Sequence, residues 1–548
     1  MTVIAPIRVG ALWKLEDRPR PLRSTKTVTE GLLDALGHFA DVRLYRGSQD
    51  MADPRAHQEM GSFADQVDLV VGDVYPGGME LALAVRAARG ANWPVVVFAH
   101  GAAPKGMEWT LFPWSDWLRP SDAFVFSSQA DLDIWARLAD DSQLSTYLLP
   151  LPVDGEFFAV ADRDVQRGPL GLAKEDEVVV YAGRINVQKN LHGLLSAFAI
   201  VCRNHPHARL VVAGPEDAVV QGEFLAANTG YRSYLVRQTT RLGVEDHVSF
   251  VGELDRHDLA QLFAIADVAV SLSFYHRENF GLALAEAQAA GTPVVASAWG
   301  GHRDVVDPDA GVLVEAAMTE HGIRVDWGSA GHAIDELLSD PEKRLVASAS
   351  ARAWAARFRR DHVAQQLETI IRTTIERLAE QPTRPAYRPS AFARVYEGHK
   401  TAHGWYEADH LNGWNTPDPP RPWRRPMFAG DDYDLYEELL GPYASVIARR
   451  TDVQVLAGDA YPYLVTPVRA DPDRRLIVSA DPIWPHHRYL DASSWEVFMA
   501  CDGSRSTGEV AGDDPSRRAD LWRFWIDGFL ALSLRPVEAG AFVDDITR

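Results

Sequence analysis

The chain has 548 residues, 46% of them hydrophobic, and a formal net charge of −21 at pH 7. That length exceeds what a single core serves and predicts roughly three or four domains. The acidic balance argues against non-specific binding to nucleic acid or anionic lipid, and no apolar run approaches the ~20 residues of a membrane helix. Residues 1–30 show no apolar signal-peptide core, so the expected compartment is the cytoplasm. The two cysteines, Cys202 and Cys501, fall in different predicted domains and indicate neither a disulfide framework nor a zinc site.

From the N-terminus, short β-branched runs alternate with helical periods. Ile7–Ala11 reads as a strand, Thr27–Leu36 as a helix, and Val42–Tyr45, Val67–Val71 and Val95–Ala99 as further strands. Strands alternating with helices predict a parallel sheet covered on both faces. Phe124–Ser128 and Tyr147–Val153 continue the pattern, and Pro150, Pro152 and Gly155 predict a hinge near 155–175. His100 follows a buried strand and precedes Gly101, a position suited to a cleft; a histidine satisfied at a strand end is the plain alternative.

The second half carries the chemistry. Val178–Ala182 is an apolar run ending in Gly183-Arg184, and Lys189-Asn190 opens a helix over Leu191–Val201. Strand, glycine turn and helix bring a phosphate ligand to the C-terminal edge of a sheet. Taken alone, Arg184 and Lys189 would read as solvated loop residues. Leu210–Gly214 and Val248–Gly252 are the next strands, Leu259–Ala266 a helix, and Asp267–Ser271 another strand. Then comes Glu278-Asn279-Phe280-Gly281-Leu282-Ala283-Leu284-Ala285-Glu286. A carboxylate sits on a loop, a glycine opens a helix, and a second carboxylate sits in that helix's second turn. Such a layout aims a helix N-terminus at an anion and places two acids where each can accept hydrogen bonds from a diol. A nucleotide diphosphate-sugar offers both: a diphosphate in the middle and hydroxyls at each end.

These residues resemble the donor-binding signature of the family-four retaining glycosyltransferases of GT-B fold. The resemblance runs from about residue 5 to 380, is most specific over 178–315, and takes in Gly300–Val306 and Gly311–Val314. It implies an α/β architecture of two Rossmann-like domains facing a cleft. Residues 1–160 would form the acceptor domain and 161–361 the donor-binding domain, with a helix near 362–380 packing back on the first. It also implies that Arg184 and Lys189 bind the diphosphate, Glu278 the sugar hydroxyls and Glu286 the ribose diol. Gly183, Asn279, Phe280, Gly281 and Leu282 would line the donor, with Leu254 near the base and Gly214–Asp217 at the rim. His100 would face the transferred sugar across the cleft. One departure stands out: Trp13–Thr25 holds no glycine, where many family members have a glycine-rich loop. No Asp-x-Asp metal site is evident, since Asp307-Pro308-Asp309 reads as a turn; neither metal nor cofactor is expected.

Residues 381–429 are rich in Pro, Arg and Trp and read as a wrapped linker, because Trp405, Trp414 and Trp423 favour burial. Residues 430–548 have their own periodicity and predict a unit that folds apart. Arg475–Ala480 reads as a strand, and Asp491–Ser494 caps a helix with Trp495, Phe498 and Met499 at core spacing. Asp502-Gly503 is a turn, Ser506 or Thr507 caps a short helix, Leu521–Leu532 reads as a third helix and Leu534–Val537 as a wing strand. This order resembles PqqD-like peptide-recognition domains, small α+β units of winged-helix type. The resemblance implies a peptide acceptor; a stabilising or dimerising appendage is the alternative.

The expected function is metal-independent transfer of a sugar, with retention, from a nucleotide-sugar donor to a small-molecule or peptide acceptor. Two alternatives stay open: a nucleotide-sugar epimerase of the same fold, and an interaction protein whose GT-B body presents the C-terminal unit. The oligomeric state is not legible in the sequence.

Overall fold

A computed structural model describes residues 6–13, 23–74, 78–99, 112, 114–140, 142–159, 167, 171–216, 231–275, 278–319, 322–378, 387–395, 437–447, 460–464, 468–479, 486–526, 529–533, 536 and 543–545. The first domain holds β1 (Ile7–Ala11), α1 (Arg23–Gly37), β2 (Ala40–Leu44), α2 (Pro54–Ala64), β3 (Leu69–Asp73), α3 (Gly78–Arg89), β4 (Val95–Phe98), β5 (Ala123–Phe126), α4 (Gln129–Leu138), β6 (Ala139–Asp140) and β7 (Ser145–Leu148). Its six-stranded sheet has the order β2-β1-β3-β4-β5-β7, and its strands pair in parallel. The strands are continuous apolar runs because helices cover both faces. Val95 and Val97 enter one core while Val96 and Phe98 enter the other, the two-residue period of a strand.

The second domain repeats the design. It comprises β8 (Glu177–Ala182), α5 (Leu191–Asn204), β9 (Ala208–Ala213), α6 (Tyr231–Leu242), β10 (Val248–Gly252), α7 (Arg256–Ile265), β11 (Val268–Ser271), α8 (Leu282–Ala289), β12 (Val294–Ser297), α9 (His302–Val305) and β13 (Gly311–Val314). The sheet order is β10-β9-β8-β11-β12-β13, again parallel. A hairpin absent from the sequence reading follows, β14 (Ala316–Thr319) with β15 (Gly322–Val325), and then α10 (Trp327–Ser339) and α11 (Pro341–Ala355).

The hinge is charged and tied. Asp154 caps the short turn Gly155–Phe158 and accepts from Arg256 and Arg360, each at 2.5 Å. α12 (Arg360–Leu378) packs on α1, with Arg360 also 3.2 Å from Asp34. Two guanidiniums hold the Asp154 carboxyl below the usual range against the upward push of its burial.

Beyond the body, one expectation changes. The stretch read as a wrapped linker is tied to the first domain near its start: β16 (Arg388–Pro389) pairs antiparallel with β6, and Tyr387 packs edge-on against Trp135 at 4.9 Å. Trp405, Trp414 and Trp423 lie outside the described residues. The C-terminal unit, expected to fold apart, shares a core with the second domain. β17 (Val446–Ile447) adds to β14, and Ile200, Ala317 and Trp327 pack into the cluster that holds Phe498, Phe524 and Trp525. Ile200, Ala317 and Trp327 thus extend the unit's own apolar cluster into the second domain.

The unit contains β18 (Tyr461–Leu464), β19 (Val468–Asp471), β20 (Leu476–Ser479), β21 (His486–Tyr489), α13 (Ala492–Met499), α14 (Thr507–Ala511), α15 (Pro515–Ile526), β22 (Leu530–Ser533) and β23 (Val543–Asp545). Asp491 and Ser506 cap α13 and α14 as expected, the latter through a full capping box. The third helix ends six residues earlier than the periodicity predicts. Leu530–Ser533 instead pairs antiparallel with Tyr461–Leu464, and those ladder bonds outweigh a continuing helical period.

Candidate donor site

Three glycine turns build the floor. Gly183 and Gly214 follow β8 and β9 and Gly252 ends β10, all with positive φ. The Gly183 amide donates to Ala213 O at 2.9 Å and the Gly214 amide to Gly252 O at 2.7 Å. A Cβ on Gly214 would stand 1.9 Å from Gly183 O, so the turns nest only because side chains are missing there. Arg184 follows at once, half-buried, its carbonyl accepting from the Tyr181 hydroxyl at 2.8 Å. Leu254, also half-buried, comes two residues after the third turn.

Lys189 ends the turn Val187–Lys189, ahead of α5. Asn190 enters that helix at φ 55°, held by a hydrogen bond from its side-chain amide to Leu272 O at 3.0 Å. Asparagine tolerates the left-handed region better than most residues. The backbone between β11 and α8 then passes beside this turn, with the Phe274 amide donating to Gln188 O at 3.2 Å. This brings Lys189 Nζ to 2.5 Å from Glu278 Oε2. Burial alone would push the Glu278 carboxyl up. Lys189 and His302 nearby, with hydrogen bonds from Lys189 and Ser273, override it and hold the group down at about 2.

The rest of the motif runs into the helix. The Asn279 side-chain amide donates to Ser127 Oγ of the first domain at 2.8 Å, so the loop touches both domains. Phe280 is buried with its ring edge-on to Phe358 at 5.6 Å. Gly281 takes φ 93° at the N-cap of α8 and offers no side-chain cap, and Leu282 begins the helix. A Cβ at Gly281 would meet His302 Cδ2 at 2.6 Å. Glu286, one turn further, is buried. Its burial pushes the carboxyl up to about 8, despite a lowering pull from Arg256. The site therefore holds one ionised acid beside a cation and one acid that is mostly protonated at neutral pH.

The structure thus brings Gly183, Arg184, Lys189, Glu278, Asn279, Phe280, Gly281, Leu282 and Glu286 to the strand ends and helix start expected for them. His100 and Asp217 lie outside the described residues. A cavity of 330 Å³ between the domains is lined by Ser127, Gln129, Phe280, Asp304, Arg357 and His362, among others, and by none of Arg184, Lys189, Glu278 or Glu286. His302 was missed as a site residue. It is buried, its Nδ1 lies 3.2 Å from Ser297 O, and its other edge backs Gly281. The pair Gly300-Gly301 before it was the available signal, since both glycines lie against the loop carbonyls of Glu278 and Asn279.

Comparison with known proteins bears on the fold and on the second domain. The family model "Glycosyl transferases group 1" matches residues 162–354. The protein named D-inositol 3-phosphate glycosyltransferase of Stackebrandtia nassauensis is 33% identical over 270 residues, 48% of this chain and 57% of that protein. Its namesake in Segniliparus rotundus is 31% identical over 291 residues, 53% and 60% of the two chains. The chain thus spans about half the length of the curated relatives it matches. Among solved structures, Anabaena HepE in complex with UDP covers 67% of this chain and 100% of its own, with TM-score 0.51 and 21% identity. Sucrose-phosphate synthase of Thermosynechococcus elongatus covers 68% and 99%, with TM-score 0.50 and 20% identity. Two parallel Rossmann-like sheets facing each other, matched to these structures, give the chain the GT-B fold, with a second domain similar to the group 1 glycosyltransferases.

Proposed function

We propose that the chain is a glycosyltransferase that moves a sugar from a nucleoside diphosphate-sugar to an acceptor, with retention of configuration. The observation that carries this is Lys189 Nζ set 2.5 Å from Glu278 Oε2, beside the uncapped start of α8. A cation, a glycine-opened helix start and a carboxylate then meet the three parts of one donor. Arg184, Lys189 and backbone N–H groups at Gly281 stabilise the charge that grows on the departing diphosphate. Glu278 accepts hydrogen bonds from sugar hydroxyls, and Glu286 accepts them from the ribose diol. The acceptor attacks on the face that the diphosphate leaves, and the leaving phosphate oxygen takes its proton. No metal is required in this scheme, because the cationic pair carries the charge. His100 is assigned to the acceptor side of the cleft, facing the sugar.

UDP is the first nucleotide to try, since a structural neighbour was crystallised with it. Two acceptor classes follow from different observations. The relatives' names point to a phosphorylated polyol. The C-terminal unit, with its exposed strand residue Tyr489 at the β21 edge, suits main-chain pairing with a peptide. The reading is tested by incubating the protein with UDP-glucose and related donors and each acceptor class. Release of UDP together with a new glycoside supports it. Interconversion of donor sugars without an acceptor would make the chain an epimerase, and no binding of any donor would leave an interaction protein.

A further inference from the structure

The strap 437–447 reaches the donor loop from far along the chain. Its turn Gly441–Tyr443 delivers Tyr443, fully buried, between the two domains. The Tyr443 hydroxyl donates to Asp131 Oδ1 on α4 of the first domain. Its ring packs on Trp299 of the second domain, with centroids 5.6 Å apart. Its carbonyl accepts from the Gly300 amide at 3.0 Å. Neighbours reinforce the seat: Arg303 Nη1 donates to Pro442 O at 3.0 Å and to Ala444 O at 3.2 Å, and Trp299 bridges Ala444.

What Tyr443 holds is the turn that holds Glu278. The Gly301 amide donates to Glu278 O at 2.7 Å, and the Trp299 indole donates to Tyr275 O at 2.9 Å. A Cβ at Gly300, where φ is 53°, would stand 2.2 Å from Glu278 O and 2.5 Å from Tyr443 Cδ1. The turn is thus wedged between the donor loop and the tyrosine ring, with no slack on either side. A small displacement on the tyrosine side must pass to the Glu278 backbone, because packed interiors transmit strain.

We infer that Tyr443 is a positioning residue for the donor loop: a side chain from beyond the GT-B body fixes the Gly300-Gly301 turn against Glu278 and anchors it to Asp131 of the first domain. The inference rests on the donor-site reading for its kinetic consequence, but its structural part stands apart. It gives the C-terminal region a share in donor binding, where the sequence reading offered acceptor capture or a stabilising or dimerising appendage.

The test compares the full-length protein with Tyr443→Leu and Tyr443→Phe by amide hydrogen exchange and by calorimetry with UDP-glucose. In Tyr443→Leu, exchange at the Gly300 and Gly301 amides should rise tenfold or more, while the first-domain sheet keeps its protection. UDP-glucose affinity should fall tenfold or more. Tyr443→Phe keeps ring and carbonyl and loses only the bond to Asp131, so both effects should shrink to two- to fivefold. Should the leucine variant fail to fold, the phenylalanine variant still decides. Wild-type exchange at Gly300 and Gly301 in either soluble variant would overturn the inference, as would loss of protection spread evenly over the second domain. If the wild type binds neither UDP-glucose nor another nucleoside diphosphate-sugar, the functional reading fails; the exchange result still decides whether Tyr443 positions the turn.

Discussion

Lys189 and Glu278, 89 residues apart, meet at 2.5 Å. Each side chain answers the other's charge. The two side chains keep only 17% and 10% of their exposure, so neither charge is well solvated without the other.

Removing Lys189 should therefore affect both catalysis and stability. Lys189→Ala should lower turnover by roughly a hundredfold or more, an oxyanion-hole-sized loss. It should also cost about 3 kcal/mol of stability near neutral pH, as a buried carboxylate loses its partner. Glu278 is held below its ordinary 4.5 in the folded state, so its contribution is present above that value and is lost as pH falls toward about 2. Denaturant titrations should show the gap between wild type and variant shrinking over that interval. A gap constant from pH 7 to 3 would detach the stability effect from Glu278.

Glu286 predicts a proton coupled to the donor. Its carboxyl, raised by burial to about 8, is mostly protonated in the free protein at neutral pH. A ribose diol donates hydrogen bonds and favours the ionised form. Binding of UDP-glucose should thus release protons and tighten from pH 6 toward 8, by up to about tenfold per unit. Calorimetry in buffers of different ionisation enthalpy measures the release directly. Glu286→Gln should flatten the dependence, whereas a flat wild-type profile would remove Glu286 from the ribose.

The C-terminal boundary gives a third expectation. Truncation after residue 385 should expose Ile200, Ala317 and Trp327 and remove the ring packed on Trp299, so the shortened protein should aggregate or bind donor poorly. Light scattering and donor calorimetry check this. A soluble truncation with normal donor affinity would show that the unit is a separable module.

The contrast marks what the sequence could convey. Local chemistry was legible: the apolar runs that became β8 and β11, the glycines that permit positive φ, and the two acids around one helix start. Each depends on neighbours within a few residues. Tyr443 was not legible, because the strap has no periodicity and its partners, Asp131 and Trp299, are 312 and 144 positions away in the chain. Leu530–Ser533 was misread for a related reason. A short apolar run does not separate helix from strand, and the pairing with Tyr461–Leu464 that decides it is non-local. His302 hid behind two glycines whose purpose appears only when the donor loop lies on them.

If Arg184, Lys189 and the start of α8 carry the countercharge as proposed, turnover should persist in excess chelator. Loss of activity that magnesium or manganese restores would contradict the metal-free scheme.

The central claim is that the surface formed by Arg184, Lys189 and the 278–286 loop binds a nucleoside diphosphate-sugar. The most direct measurement is the thermal shift of the wild type and of an Arg184→Ala/Glu286→Gln variant with UDP-glucose. A ligand that binds the folded state raises the melting temperature, by about 2.7 kcal/mol of added stability at a hundredfold excess over its Kd. The account predicts a clear upward shift for the wild type and none for the variant, which itself melts close to the wild type without ligand. Equal shifts in both proteins would place the donor elsewhere and contradict it.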